Sequence, residues 1–264
     1  AGLQALAANI LSRPDGNVND IAALQQSLRD WAEKYPNRIA KTGWIIGFGY
    51  DDAQMKEQRH PTREDLDAVS KTIPVLAIHQ SGHLAGINSK GLEVAGITAS
   101  SKDPAGGVYR RREGGSEPNG VLEEMAFFKL VFTVLGTLGT DDNKTLLKAG
   151  LESYTRFGFT TAQEGRATVE AIETEAAAAQ DGSLIMDVVA YADIQGAAES
   201  IKPPLHSKVY TNHFRIGGAK LNLDGSPQGK TAWLTKPYQV PPEGQNPDYK
   251  GYPAVTDNEA IALN

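Results

Sequence analysis

Residues 158–191, GFTTAQEGRATVEAIETEAAAAQDGSLIMDVVAY, carry the clearest fold signal in this 264-residue chain. β-Branched and aromatic residues predict a strand over Phe159–Gln163, and apolar spacing predicts a helix over Thr168–Gln180 with Gly182 just past its end. A second strand is predicted over Leu184–Tyr191. Strands that alternate with helices at this spacing are βα units, so we predict an α/β fold built on a parallel sheet.

The same alternation extends in both directions along the chain. Upstream, the apolar runs Trp44–Tyr50 and Val75–His79 predict strands, and a tight turn at Gly82 is predicted to lead into a helix that ends near Gly96. Downstream, a short crossover is predicted to lead into a further strand over Phe214–Leu223. These elements place most of the chain in one βα array.

Two long segments interrupt the array. Residues 97–120 are rich in glycine and proline and are predicted to form a long loop, followed by a helix over Val121–Leu135. Residues 226–255 are rich in Pro, Gly and Tyr without periodicity, and we predict an irregular but ordered excursion there. We interpret residues 1–264 as an internal portion of one domain, because the helix signalled by Thr256–Glu259 starts about two turns before the chain stops.

Composition excludes several classes of function. The formal net charge of -6 argues against nucleic acid as a partner, since phosphate binding needs a clustered basic face. The longest apolar stretch, Met125–Leu135, is far short of the ~20 residues that span a bilayer, so no membrane partner is expected. There is no cysteine, which rules out disulfides and thiolate metal ligands. The sequence leaves a cytoplasmic or periplasmic location and homo-oligomer formation open.

A polar stripe marks the strand within Gly217–Gly225. Period-two alternation puts Leu221 and Leu223 on one face and Lys220, Asn222 and Asp224 on the other. In a β/α barrel the apolar set packs on the helices and the polar set faces the axis, near the carboxyl end where function resides. The alternative is an edge strand with one face exposed to solvent. The neighbouring predicted strands are very apolar, which argues against a sheet with a solvent-exposed face.

Two histidines and two glutamates are further candidates. His79 and His83 flank a Ser-Gly turn at the end of an apolar strand, where an imidazole can hydrogen-bond a substrate carbonyl or act as an acid. Glu164 ends a predicted strand and either contacts substrate or caps the next helix. Glu124 lies early in a predicted helix, where a carboxylate also favours the helix dipole.

Five segments in order resemble amidohydrolase family 3, the YtcJ-like hydrolases related to N-substituted formamide deformylases. They are GFGYD at 47–51, HQSGHLAGINS at 79–89, GVLEEMA at 120–126, GFTT at 158–161, and KLNLDGS at 220–226, which continues to Pro237 and Tyr238. The resemblance covers nearly the whole chain. It implies a TIM-type (β/α)8 barrel, of which this chain would supply about strands 2–4 with their helices.

The resemblance also implies a chemistry. Members of this family use a divalent metal, usually zinc, to hydrolyse amides or related C–N bonds of small molecules. Lys220 matches the fourth-strand lysine, which can be carboxylated to an anionic metal ligand in this superfamily. The other family ligands, an H-x-H, two histidines and an aspartate, would lie outside residues 1–264, so we expect this fragment alone to be inactive.

The residues then divide into expected roles. His83, Glu124 and Asp224 are the candidate catalytic residues, while His79, Asn222 and Glu164 are candidate substrate contacts. Two alternatives stay open at this point. One is a glycoside hydrolase barrel that uses carboxylates such as Glu124 and Glu164, and the other is a non-catalytic relative that binds a ligand or regulates a pathway.

Overall fold

The computed structural model describes residues 2–242 and 244–262. The helices are α1 (Gly2–Leu6), α2 (Ile21–Lys34), α3 (Pro36–Thr42), α4 (Arg63–Asp67), α5 (Ser89–Val94), α6 (Met125–Leu135), α7 (Thr140–Thr155), α8 (Val169–Gln180) and α9 (Asp257–Ala262). The strands are β1 (Ala8–Asn9), β2 (Ile45–Tyr50), β3 (Val75–His79), β4 (Leu84–Ile87), β5 (Gly107–Arg111), β6 (Pro118–Glu124), β7 (Thr161–Ala167), β8 (Asp187–Asp193) and β9 (Phe214–Lys220). Among these residues, each helix is too short or too polar to cross a membrane.

The chain divides into two compact units. Unit 1 comprises the described parts of residues 1–6, 138–222 and 257–264, and unit 2 comprises the described parts of 7–137 and 223–256. Each unit is an α/β structure with its own sheet and its own buried apolar cluster.

Unit 1 contains the parallel sheet that the sequence predicts. Its strand order is β7-β8-β9, with both pairs parallel. Helix α8 begins where predicted, because the Thr168 hydroxyl accepts the Ala171 N–H at 3.2 Å and caps the first turn. The core joins α7, α8 and the sheet through fully buried residues such as Phe214 and Ile216.

Unit 2 contains a mixed six-stranded sheet in the order β1-β2-β3-β4-β6-β5. Strands β1, β2 and β3 are parallel, while β4, β6 and β5 pair antiparallel. Helix α2 buries Leu24, Leu28 and Trp31 in the core of this unit, and the Asp20 carboxylate caps it by accepting the Ala23 N–H at 2.7 Å.

Two predictions in unit 2 are wrong. The predicted helix after Gly82 is a hairpin strand, β4, followed by the short helix α5. Gly82 has φ +70° and reverses the chain, and Leu84–Ile87 then pair antiparallel with β3 and are fully buried. The predicted loop over 97–120 contains strand β5 and the start of β6, which delays the following helix until Met125.

Two strands in unit 1 end elsewhere than predicted. Strand β9 stops at Lys220, so Asn222 is not a strand residue, and the alternation expected over 220–224 does not exist. Strand β9 stops there because its neighbour β8 ends at Asp193, the residue that pairs with Lys220. Beyond this pair, β9 has no β8 residue with which to form hydrogen bonds. The Lys220 side chain is exposed within its unit. Strand β7 runs on to Ala167, so Glu164 lies within it rather than at its end.

Candidate active site

The ends of two parallel strands bring acidic and imidazole groups together in unit 2. Tyr50 pairs with His79 at the carboxyl ends of β2 and β3, and Asp51 and Asp52 follow directly after β2. The carboxyl ends of parallel strands meet at one edge of a sheet, which is where α/β proteins place ligands. His79 is completely buried at this edge.

His79 and the two aspartates form a group that could hold a metal ion. The Nε2 atom of His79 lies 3.2 Å from Asp52 Oδ1 and 3.9 Å from Asp51 Oδ1, and ligand atoms of all three residues lie within 4.8 Å of one another. Carboxylate oxygen and imidazole nitrogen are ordinary ligands of zinc and other divalent metals. The types of donor atom in this group therefore fit a divalent metal ion.

The hydrogen bonds around His79 favour a proton over a metal in this arrangement. Its Nδ1 accepts the backbone N–H of Ser81 at 3.1 Å, so the proton of the neutral ring belongs on Nε2, facing Asp52. Nε2 is at hydrogen-bonding distance from Asp52 but is poorly aligned, and it has no hydrogen bond to the described residues. Asp51 already accepts from Ala53 and from two glutamine side chains. A metal here would have to displace the Nε2 proton.

A second buried pair adjoins this group. The hydroxyl of Tyr50 and Nδ1 of His60 lie 3.0 Å apart. Burial, followed by the charge of Asp52, raises the pKa of Tyr50 well above its ordinary value, so its hydroxyl keeps its proton. Burial and then the charge of Arg110 lower the pKa of His60 to about 3, so this ring is neutral. Burial alone would raise the pKa of Asp52, but His79, His60 and Lys230 together hold it well below its ordinary value.

The polar cluster continues across the antiparallel strands. Arg110 Nε donates to Glu123 Oε1, and the Tyr252 hydroxyl donates to Glu123 Oε2 at 2.9 Å. Burial and the adjacent Glu123 carboxylate raise the pKa of Tyr252, which keeps this phenol protonated. Three hydrogen bonds link the described part of the excursion 226–255 to Asp51, Glu123 and Glu124 of its own unit.

His83 and Glu124 come into direct contact. His83 precedes β4 and Glu124 ends β6, so the pairing of these strands sets the two residues side by side. Nδ1 of His83 lies 2.8 Å from Glu124 Oε2, and the backbone N–H of Glu124 donates to the His83 carbonyl, also at 2.8 Å. Glu124 is buried, whereas the His83 side chain is 25% exposed. A buried carboxylate that orients a partly exposed imidazole is the arrangement of a general acid or base.

The remaining candidates make only local contacts or none. Lys220 ends β9 and forms no ion pair within the described part of the chain. Glu164 accepts the nearby Arg166 N–H at 3.1 Å, and Asp224 accepts the Trp233 N–H at 3.0 Å. The roles predicted for these residues, and for Asn222, stay predictions.

Sequence reasoning overlooked Asp51, Asp52 and Thr231. The aspartates carried a usable signal, because they directly follow one apolar strand while His79 ends the next. Thr231 lies in the continuation of the family segment 220–226, but no pattern there indicated its contact with Glu124. Its hydroxyl donates to Glu124 Oε1 across 107 positions of sequence, inside a segment without periodicity.

Comparison with known proteins identifies the family. Residues 2–263 match the model of an amidohydrolase family, and the chain belongs to that family. It is 26% identical over 242 residues to the putative amidohydrolase YtcJ of Bacillus subtilis, covering 84% of this chain and 42% of that protein. It is 33% identical over 112 residues to the N-substituted formamide deformylase of Arthrobacter pascens, covering 42% of this chain and 20% of that enzyme.

Solved structures show the same fold. An uncharacterised metal-dependent hydrolase from Pyrococcus horikoshii superimposes with a TM-score of 0.62 at 24% identity, over 99% of this chain and 47% of that one. A second from Pyrococcus furiosus gives a TM-score of 0.57 at 22% identity. The chain therefore spans less than half the length of these relatives and structures. The family resemblance is confirmed.

Proposed function

We propose that the intact protein is a metal-dependent hydrolase of small amides or related non-peptide C–N bonds, built on a (β/α)8 barrel to which this chain contributes about strands 2–4. The family match over residues 2–263 carries this proposal. The parallel β7-β8-β9 sheet with α8 connecting its first two strands supports the barrel. The N-substituted formamide deformylase among the relatives supports a C–N bond as the target.

The metal, which we propose to be zinc, would activate a water molecule and polarise the substrate carbonyl. Lys220 is the residue of this chain that we propose as a ligand, after carboxylation of its amine. Its side chain is exposed at the carboxyl end of β9 and is not neutralised by a carboxylate among the described residues, so it is free to react. His83, Glu124 and Asp224 would take part in catalysis, and His79, Asn222 and Glu164 would contact the substrate.

The test uses the full-length protein. Metal content is measured by elemental analysis, and turnover is measured on a panel of N-formyl and N-acyl amines with and without a chelator. We expect bound zinc and turnover that the chelator stops and zinc restores. Lys220→Ala should lose both metal and turnover, while the matched control Lys208→Ala, an exposed lysine of the same unit, should retain them.

Other outcomes would replace the proposal. Turnover of glycosides that resists chelation and is lost in Glu124→Gln and Glu164→Gln would indicate a carboxylate-based glycoside hydrolase. A protein that binds ligands of this class without turning them over, even when loaded with metal, would be a non-catalytic relative. Full metal content in Lys220→Ala would end the ligand role of Lys220.

A further inference from the structure

Three side chains of unit 2 form one continuous hydrogen-bonded chain. Nδ1 of His83 lies 2.8 Å from Glu124 Oε2, and the other oxygen of Glu124 accepts from the Thr231 hydroxyl. The Thr231 oxygen in turn accepts the backbone N–H of Ser226 at 3.0 Å. We call His83, Glu124 and Thr231 the relay. Glu124 and Thr231 are fully or almost fully buried, and only the histidine end is partly exposed.

One arrangement of protons satisfies all the hydrogen bonds of the relay. Glu124 Oε1 is the nearest acceptor for the Thr231 hydroxyl, because the Ser226 carbonyl is 3.5 Å away. The other oxygen, Oε2, is placed to accept a hydrogen bond from His83 Nδ1. With Nδ1 protonated, the Nε2 atom of His83 is the end that gives or takes a proton. Nε2 has no hydrogen-bond partner within the described residues.

Three features define the geometry of the relay. Glu124 has φ +48° and ψ -120°, a conformation that a residue other than glycine adopts only at a cost in free energy, and such strain concentrates at functional sites. The ring of Phe128 packs edge-on against the His83 ring, with centroids 5.6 Å apart. The Ser81 hydroxyl also accepts the His83 backbone N–H at 3.2 Å, which fixes the turn that carries the ring.

We infer that His83 is the acid that protonates the leaving nitrogen of the substrate, and that Glu124 and Thr231 are positioning residues that act through it. This inference rests on the proposed function, since it assigns the proton transfer in hydrolysis of a C–N bond. Nε2 of His83 first takes a proton from the water molecule as its oxygen bonds to the carbonyl carbon. As the C–N bond then breaks, its electron pair goes to nitrogen, Nε2 gives that proton to nitrogen, and the amine departs. The Glu124 carboxylate stabilises the charged ring between these steps.

The first test varies the leaving group in the full-length, metal-loaded protein. Two substrates share one acyl group, and one carries an alkylamine while the other carries 4-nitroaniline, which departs with little help from an acid. His83→Ala should lower kcat on the alkylamide by about 10²–10⁴-fold. On the nitroanilide it should lower kcat far less, and added imidazole should restore part of the alkylamide activity. An equal loss on both substrates would overturn the role of His83.

The second test addresses Thr231 with isosteric and conservative variants. Thr231→Val removes the donor at nearly constant volume, and Thr231→Ser keeps it. We expect Thr231→Val to lose roughly 10–100-fold in kcat on the alkylamide, with KM and metal content little changed, and Thr231→Ser to stay close to the parent. Gly225→Ala offers an independent probe, because an added Cβ would overlap both Glu124 and Thr231. Unchanged kcat in Thr231→Val would overturn its positioning role.

A third readout does not depend on turnover. Imidazole 15N chemical shifts in 15N-histidine-labelled protein, assigned to His83 with His83→Asn, report which ring nitrogen carries the proton in the neutral ring. We expect the Nδ1–H form in the parent and in Thr231→Ser, and a shift toward the Nε2–H form in Thr231→Val. An Nε2–H ring in the parent would overturn the relay. If the parent hydrolyses no amide, the proposed function fails, and this measurement still decides the relay separately.

Discussion

Glu175→Gln is expected to stabilise the protein at alkaline pH and to have little effect at acidic pH. Glu175 lies on α8 with 5% of its surface exposed, and its Oε2 has no hydrogen-bond partner in the part of the chain that the structure describes. Burial, followed by the negative charge of Glu164, raises the pKa of Glu175 from 4.5 to about 8. The buried side chain is therefore a neutral acid near neutral pH.

The size and sign of the effect follow from this pKa. Below pH 4.5 the carboxyl is protonated in both the folded and the unfolded chain, and it carries no penalty. Above that pH the unfolded chain loses the proton first, so the free energy of unfolding falls by about 1.4 kcal/mol per pH unit until the folded carboxyl ionises. For a pKa raised from 4.5 to about 8, the loss reaches at most roughly 5 kcal/mol above pH 8. Glutamine keeps the shape and has no such proton.

The assay is urea unfolding of the protein and its variants at half-unit steps from pH 4.5 to 9. The parent should lose stability steadily across this window relative to Glu175→Gln, and the two should converge at the acidic end. Glu173→Gln, an exposed neighbour on the same helix, is the matched control and should follow the parent. Parallel curves for the parent and Glu175→Gln would refute the reasoning, because they would show that the carboxyl is ionised or solvated in the folded state.

Three further predictions test the fold and the proposed site. In the intact protein, Lys220→Ala should lose metal and turnover while its melting temperature changes little, and added bicarbonate or a short-chain carboxylic acid should restore part of the activity; full metal content with a large fall in melting temperature would contradict this. Asn88→Ala should cost about 3–4 kcal/mol by urea unfolding, because the buried amide makes four hydrogen bonds to backbone groups, whereas the control Ser89→Ala should cost under about 1 kcal/mol. The isolated 264-residue chain with added zinc should hydrolyse no amide, and metal-dependent turnover by the pure chain would refute this.

Local patterns in the sequence were sufficient where one segment determines its own structure. Val75–His79 is a strand as predicted, the helix predicted over Thr168–Gln180 forms, and β9 joins a parallel sheet. The family also followed from the sequence alone, because five ordered motifs survive at low overall identity. Local patterns failed to predict the structure of a segment that depends on pairing with other strands. The four buried residues of β4, for example, form a strand only because β3 and β6 lie on either side of it.

The candidate site divides in the same way. The sequence by itself determined the chemistry available, namely the histidines and carboxylates that can move protons or bind a metal, and it marked His83 and Glu124. Only the tertiary structure decided their partners, since the Glu124–Thr231 contact spans 107 positions and the proton on His79 is assigned by its hydrogen bond from Ser81. The physical reason is that residue type fixes which protons and charges exist. Distance, burial and hydrogen-bond direction fix where they reside, and these properties arise only when distant segments pack.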